Sequence, residues 1–501
     1  MTTPREETVT TPPEEGADRG PALKRGAIST PHLVFFVVAA AAPLTVMAGF
    51  GGIAFLYGGQ ATPAGYLVAG LVYLLFSVGF TAMSRYVSNS GAFYAYISAG
   101  LGRVLGAGSA VVAYLAYLGG QIGFVASAGL FASLQIGQAT GFTPHWAVSA
   151  VVITLAIGWL GYRQVDLGAK VLALLLVGEI GVLLVFAAAV LLKGGHEGLS
   201  LESFTPSTVA TPAMATVLVL TLLVYIGFEQ TAIYSEEARD PARTVPRATY
   251  VAVGFLAIFY TFIAWTILMA AGPTRLAKLL EGDPSTFVPV LNSEFAGETM
   301  TVIMQLLVIT SFIAGVLALH NACTRYLFAL GRERLVPAAF GRVGARTRTP
   351  AFAGLVQTLV VCVALVAFAL AQADPYTQVV IWTNTPTVIG VLFLQVLTSV
   401  AVVRFLARHG RRESVWRRLV APVLAAVLLV SALVLVISRL DVLTGMSPAQ
   451  NMLVIVSPLI AGLLVGCARA LWLRGMRPEA YDALAVKILT AETAETAEER
   501  A

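Results

Sequence analysis

The stretch Thr221–Arg247, TLLVYIGFEQTAIYSEEARDPARTVPR, decides how the rest of the chain is read. It begins as apolar helix, meets Gly227 and the acid Glu229 at membrane depth, and ends in a charged segment holding three carboxylates, three arginines and two prolines. A helix that breaks inside a bilayer is costly unless the opened backbone lines a cavity. The break is therefore expected to be half of a substrate site, with a matching break elsewhere in the chain.

The bilayer itself follows from composition. Of 501 residues 57% are hydrophobic and only 12% charged, more apolar surface than a soluble domain hides and far too much for a disordered chain. The net charge of +5 is spread over short loops between apolar spans, a membrane-protein pattern that argues against nucleic-acid binding. Cys323, Cys362 and Cys467 fall in apolar segments without metal-ligand spacing and read as small packing residues. No metal or cofactor is expected.

At about 20 apolar residues per crossing, twelve spans are expected near 32–57, 63–83, 104–134, 145–162, 168–192, 212–234, 247–272, 300–328, 351–371, 377–403, 418–439 and 450–473. Phe93–Gly102 is a surface helix or the beginning of span 3. Residues 1–31 are read as a disordered tail and 474–501 as a solvated one, around a permease domain at 32–473. Arg85, Arg103, Arg163, Arg239, Arg243, Arg247 and the clusters at 332–348 and 404–418 all fall in loops on one side, which places both termini in the cytoplasm of a cell-membrane protein.

Span 1 carries Pro43 and then Gly49, Gly51 and Gly52, and span 6, five spans later, breaks at Gly227. An odd offset means inverted repeats, spans 1–5 and 6–10 (32–192 and 212–403), with spans 11 and 12 added at 418–473. Glycine also serves plain close packing, and Gly106, Gly108, Gly119, Gly120 and Gly123 in span 3 are read that way. The cluster at Gly49–Gly52 is read as the partner break.

These residues resemble the amino acid-polyamine-organocation superfamily of permeases. The likeness rests on Gly227-Phe228-Glu229 followed by Glu236-Glu237-Ala238-Arg239-Asp240-Pro241 and Pro246-Arg247-Ala248, on Arg85-Tyr86 through Ser90-Gly91-Ala92-Phe93 to Leu101-Gly102, and on Asn321, Arg325, Arg332 and Pro337 with Thr349-Pro350. Span 1 departs from it: Phe50-Gly51-Gly52-Ile53-Ala54 stands where the family usually has Gly-Ser-Gly-Ile-Phe. The resemblance implies an all-α LeuT-type bundle with helices 1 and 6 interrupted, working as a secondary transporter of an amino acid or related amine by alternating access. A polyamine or another small organic solute is the alternative. No nucleophile motif, phosphate loop or filter sequence supports an enzyme, an ATP-driven pump or a channel.

Freed amides and a positive dipole end suit a carboxylate, so Ala48, Gly49, Phe50, Gly51, Gly52 and Ile53 are the expected carboxylate side. Carbonyls near Tyr225, Ile226 and Gly227 are expected to take an amino group, with Tyr225 and Phe228 as aromatic gates or as ordinary packing. Glu229 at mid-membrane costs about 2.5 to 3.5 kcal/mol on insertion scales; it carries a proton, couples the gate, or pins the break as a structural acid. Glu179 reads as structural. The resemblance implies that Lys170 replaces a sodium ion, while snorkelling to the surface stays open for it. Glu236, Glu237, Arg239 and Arg243 form an inner-gate salt-bridge cluster or a solvated loop. The expected partners are the small-molecule substrate, protons and the lipid bilayer.

Overall fold

The computed structural model describes residues 29–87, 93–163, 169–233, 238, 240–344, 349–482 and 484. Residues 1–28 of the first tail and residues 483 and 485–501 of the second lie outside these residues, as do Glu236, Glu237 and Arg239.

Among the described residues every element is helical, and eleven helices are long and apolar enough to cross a membrane. The expected twelfth, span 6, contributes the apolar helix Pro212–Leu223, whose 12 residues stop at the break. The protein is an all-α, multi-pass integral membrane protein. Span 3 runs from Arg103 to Thr140; Phe93–Leu101 is a separate helix, set off by Gly102 at φ +107°. Span 7 starts at Pro241, six residues before the expected bound; Pro241 takes the first helical position, where a missing N–H costs little, and Pro246 lies inside the helix. The remaining spans begin within two residues of the sequence reading, and the helix of span 10 runs on to His409, six residues past its expected end.

Span 3 sits in the middle of the bundle, and its small residues explain why. A Cβ at Gly119 would lie 2.4 Å from the Thr383 carbonyl oxygen of span 10, one at Gly108 2.8 Å from the Leu463 oxygen of span 12, and one at Gly129 2.6 Å from the Trp146 oxygen at the start of span 4. Without a hydrophobic drive between helices in lipid, such close backbone approach is what holds the bundle together. Leucines and valines stand outward, as at Leu174, Leu192, Leu359 and Val434, which makes the surface suited to acyl chains.

Candidate functional site

The helix of span 1 runs from Thr30 to Ala40, 11 residues, and stops. Ala42 follows at φ +45°, in the left-handed region, and the chain re-enters helix at Pro43. Proline is the cause: it offers no N–H to the preceding turn and its ring disfavours the helical conformation of the residue before it. Span 6 repeats the arrangement with 12 residues, Pro212–Leu223, before six residues of turn in which Gly227 takes φ +115°. At 1.5 Å per residue each first half spans roughly half of a ~30 Å hydrocarbon core, so both interruptions lie near the middle.

The left-handed interruption of span 1 therefore lies before Ala48–Ile53, where a second helix start follows the bend at Phe50. There the chain is a π-helical turn, Thr45–Gly49, followed after Phe50 by the helix Gly51–Gly58. Its glycines answer to neighbours. A Cβ on Gly49 would lie 2.7 Å from the Phe312 ring, and one on Gly52 1.8 Å from the carbonyl oxygen of Pro284, in the loop between spans 7 and 8. The glycine signal marked where other parts of the protein press on span 1, and Pro43 marked the interruption.

The start of the second half of span 1 is held by side chains. The Leu44 N–H points at Glu179 Oε2 across 3.5 Å, the Thr45 N–H donates to Ser311 Oγ at 3.3 Å, and Ser311 Oγ donates to Glu179 Oε2 at 2.8 Å. Thr45 Oγ1 also donates to Ser311 Oγ at 2.9 Å. Glu179, expected to be structural, lies at the positive end of a helix opened by Pro43, a place that favours a carboxylate.

In span 6 the Gly227 N–H donates to Glu229 Oε2 at 2.9 Å, and the Tyr117 hydroxyl of span 3 donates to Oε1. Glu229 is fully buried. It thus closes one of the amides its own break exposes, and ties the break to span 3. Tyr225 and Phe228 turn toward span 2. The Tyr225 ring stacks on Tyr73 with centroids 5.2 Å apart and its hydroxyl donates to the Tyr66 carbonyl at 2.9 Å; Phe228 sits among Tyr73, Phe76 and Phe80. Both pack against span 2 in this conformation.

Tyr260 of span 7 stands between the two breaks. Its hydroxyl donates to the Ala41 carbonyl at 3.0 Å, and its ring meets Tyr225 edge-on at 5.8 Å. On the other side a small cavity of about 20 Å³ is lined by Phe50 and Ile53 of span 1, Leu223 and Val224 of span 6, and Asn384 of span 10; that is the space of roughly one water. The structure thus brings together Phe50, Ile53 and the start of the span 6 break. It leaves Gly49 and Gly52 facing other partners. Lys170 lies in the first turn of span 5, Ala169–Lys193, with its side chain outside the described residues. Arg243 is exposed and pairs with Asp240 at 3.8 Å.

Two features escaped the sequence. Tyr117 carries no spacing signal linking it to Glu229. A buried chain also runs across spans 3, 9 and 8: Tyr114 donates to Gln357 Oε1 at 3.0 Å, Gln357 Nε2 donates to Gln121 Oε1 at 2.8 Å, and Gln121 Nε2 lies 3.3 Å from His320 Nδ1.

Residues 28–465 match a family model described as amino acid permease, nearly the whole span-bearing length. The chain belongs to the amino acid permease family. The permease is 25% identical over 414 residues to the L-lysine transport protein of Corynebacterium glutamicum, covering 78% of this chain and 79% of that one. It is 25% identical over 373 residues to the vacuolar cationic amino acid transporter 2 of Arabidopsis thaliana, covering 70% and 56%. A transporter of Mycobacterium tuberculosis is 30% identical over 144 residues, 28% of this chain and 31% of that protein, so the permease spans about a third of that relative's length.

Proposed function

We propose that the permease is a secondary transporter of an amino acid or related amine, independent of sodium and driven by protons or exchange, with its substrate held between the interruptions of spans 1 and 6. The observation that carries this is the pair of left-handed residues, Ala42 and Gly227, after first halves of 11 and 12 residues. Half-lengths that differ by one residue fit an inverted five-span repeat, and such a repeat would support alternating access about one site. The relatives named for lysine and cationic amino acids support the substrate class.

The substrate carboxylate is assigned to the side-chain-uncapped helix start at Gly51–Ile53, and the amino group to the carbonyls of the span 6 break. Glu229 is assigned the proton or the coupling of the gate, and Lys170 the place of a sodium ion, with both termini on the cytoplasmic side of the cell membrane. Proteoliposomes holding the purified permease test this reading. Saturable uptake or exchange of labelled amino acids that persists when sodium is replaced by choline supports it; strict sodium dependence overturns the Lys170 assignment.

A further inference from the structure

The side-chain end of the site is described by one residue that the established family membership leaves unexplained. Asn384 of span 10 is 3% exposed, and neither its Nδ2 nor its Oδ1 has a hydrogen-bond partner. Leaving both ends of a buried carboxamide unpaired costs roughly 1–3 kcal/mol per group, and native proteins rarely tolerate it without a use for the group. The amide has room by construction: a Cβ on Gly123 of span 3 would lie 2.5 Å from Asn384 Nδ2. Asn384 also lines the cavity between spans 1, 6 and 10.

The rest of that cavity wall is nearly all carbon. Phe50, Ile53, Val224 and Val388 bring apolar side chains, Tyr66 brings a ring with one hydroxyl, and the Thr385 hydroxyl donates to the Ile381 carbonyl at 2.6 Å. None of the lining residues is charged. The buried acids nearby are committed elsewhere, Glu229 to Tyr117 and Gly227, Glu179 to Ser311. A cationic side chain entering here would meet no counter-charge, which is costly at membrane depth. A neutral side chain with one hydrogen-bonding group would find both a donor and an acceptor on Asn384.

We infer that Asn384 is the specificity residue of this site, and that the permease selects an amino acid with a neutral, hydrogen-bonding side chain rather than a cationic one. The inference rests on the amino acid permease reading above and separates this chain from its relatives named for lysine and cationic amino acids. A site built to hydrogen-bond a substrate group discriminates strongly against the isostere lacking it, because its own polar atoms are then left unpaired.

The test measures uptake of labelled threonine against valine, glutamine against methionine, and asparagine against leucine, each beside lysine, in proteoliposomes of the full-length permease. The expected result is a preference of about tenfold or more for the hydrogen-bonding member of at least one pair, with lysine taken up more slowly than that member. Asn384→Leu brings the pair to within about threefold, and Asn384→Asp raises lysine uptake about tenfold, by supplying the missing counter-charge. Gel-filtration profiles and melting temperatures of both variants confirm folding. Lysine preferred over every neutral member, or ratios indifferent to both substitutions while uptake persists, overturns the Asn384 inference and leaves the transporter reading standing. A folded permease that moves no amino acid at all overturns both.

Discussion

Tyr117 of span 3 donates its hydroxyl to Glu229 of span 6, while the backbone of Gly227 donates to the other oxygen of the same carboxylate. One acid therefore links the opened turn of span 6 to the central helix of the bundle, and the Tyr117 ring is itself stacked on Tyr326 of span 8 at 5.5 Å. Any movement of the break changes the surroundings of that carboxylate. Glu229→Gln keeps the acceptor for Gly227 and removes the ionisation, so the pH dependence of uptake is expected to flatten. Tyr117→Phe is expected to lower the uptake rate several-fold with a smaller effect on the pH profile. An unchanged profile and rate in Glu229→Gln would reduce the acid to scaffolding.

Gly227 holds φ +115°, where a side chain is strained whatever the space around it. Gly227→Ala should destabilise the permease by about 1–3 kcal/mol. Ala42 is the converse case, a non-glycine residue already in the left-handed region at φ +45°, so Ala42→Gly should be neutral or raise the melting temperature slightly. Thermal melts of the detergent-solubilised variants, read by intrinsic fluorescence, check both signs.

Gly52 meets the Pro284 carbonyl oxygen, whereas a Cβ on Gly254 would have nothing within 4 Å. Gly52→Ala should force the span 7–8 loop away, lower the melting temperature and expose that loop to protease. Gly254→Ala, in the interior of the span 7 helix, should gain up to about 1 kcal/mol from helix propensity. Equal effects at the two positions would contradict the loop contact.

Glu333, just past the end of span 8, accepts a hydrogen bond from Tyr94 at 3.4 Å, and burial pushes its pKa up to about 7. The sign follows from proton linkage. Between the ordinary carboxylate value and about 7 the folded state binds the extra proton, so stability is fullest at low pH and falls as pH rises through 7. Melting temperature should thus decline from pH 5 to pH 8 more steeply in the wild type than in Glu333→Gln, measured in one detergent at constant ionic strength.

The elements most legible in the sequence were those set by a single local cause. Apolar runs of bilayer length located the spans, and Gly227 beside Glu229 located the break of span 6, since nothing else explains a glycine and an acid in mid-helix. Span 1 misled because two signals competed: Pro43 opens the helix, while Gly49 and Gly52 admit Phe312 and Pro284, partners more than 200 residues away in the chain. Separation along the chain also hid Tyr117 from Glu229, 112 residues apart, and Gln357 from Gln121, 236 apart. Such pairings are set by the packing of whole helices, and no spacing within one helix records them.

Transport at one site requires spans 1 and 6 to form it together, and Ile53 and Val224, which line the same cavity from those two spans, report on it. Single cysteines at each position, in a background lacking Cys323, Cys362 and Cys467, can be labelled with a membrane-impermeant thiol reagent in sodium-free buffer. A mixture of amino acids should suppress labelling at both positions in parallel, with the same concentration dependence. Protection at one position without the other, or at neither while uptake continues, would contradict a single shared site.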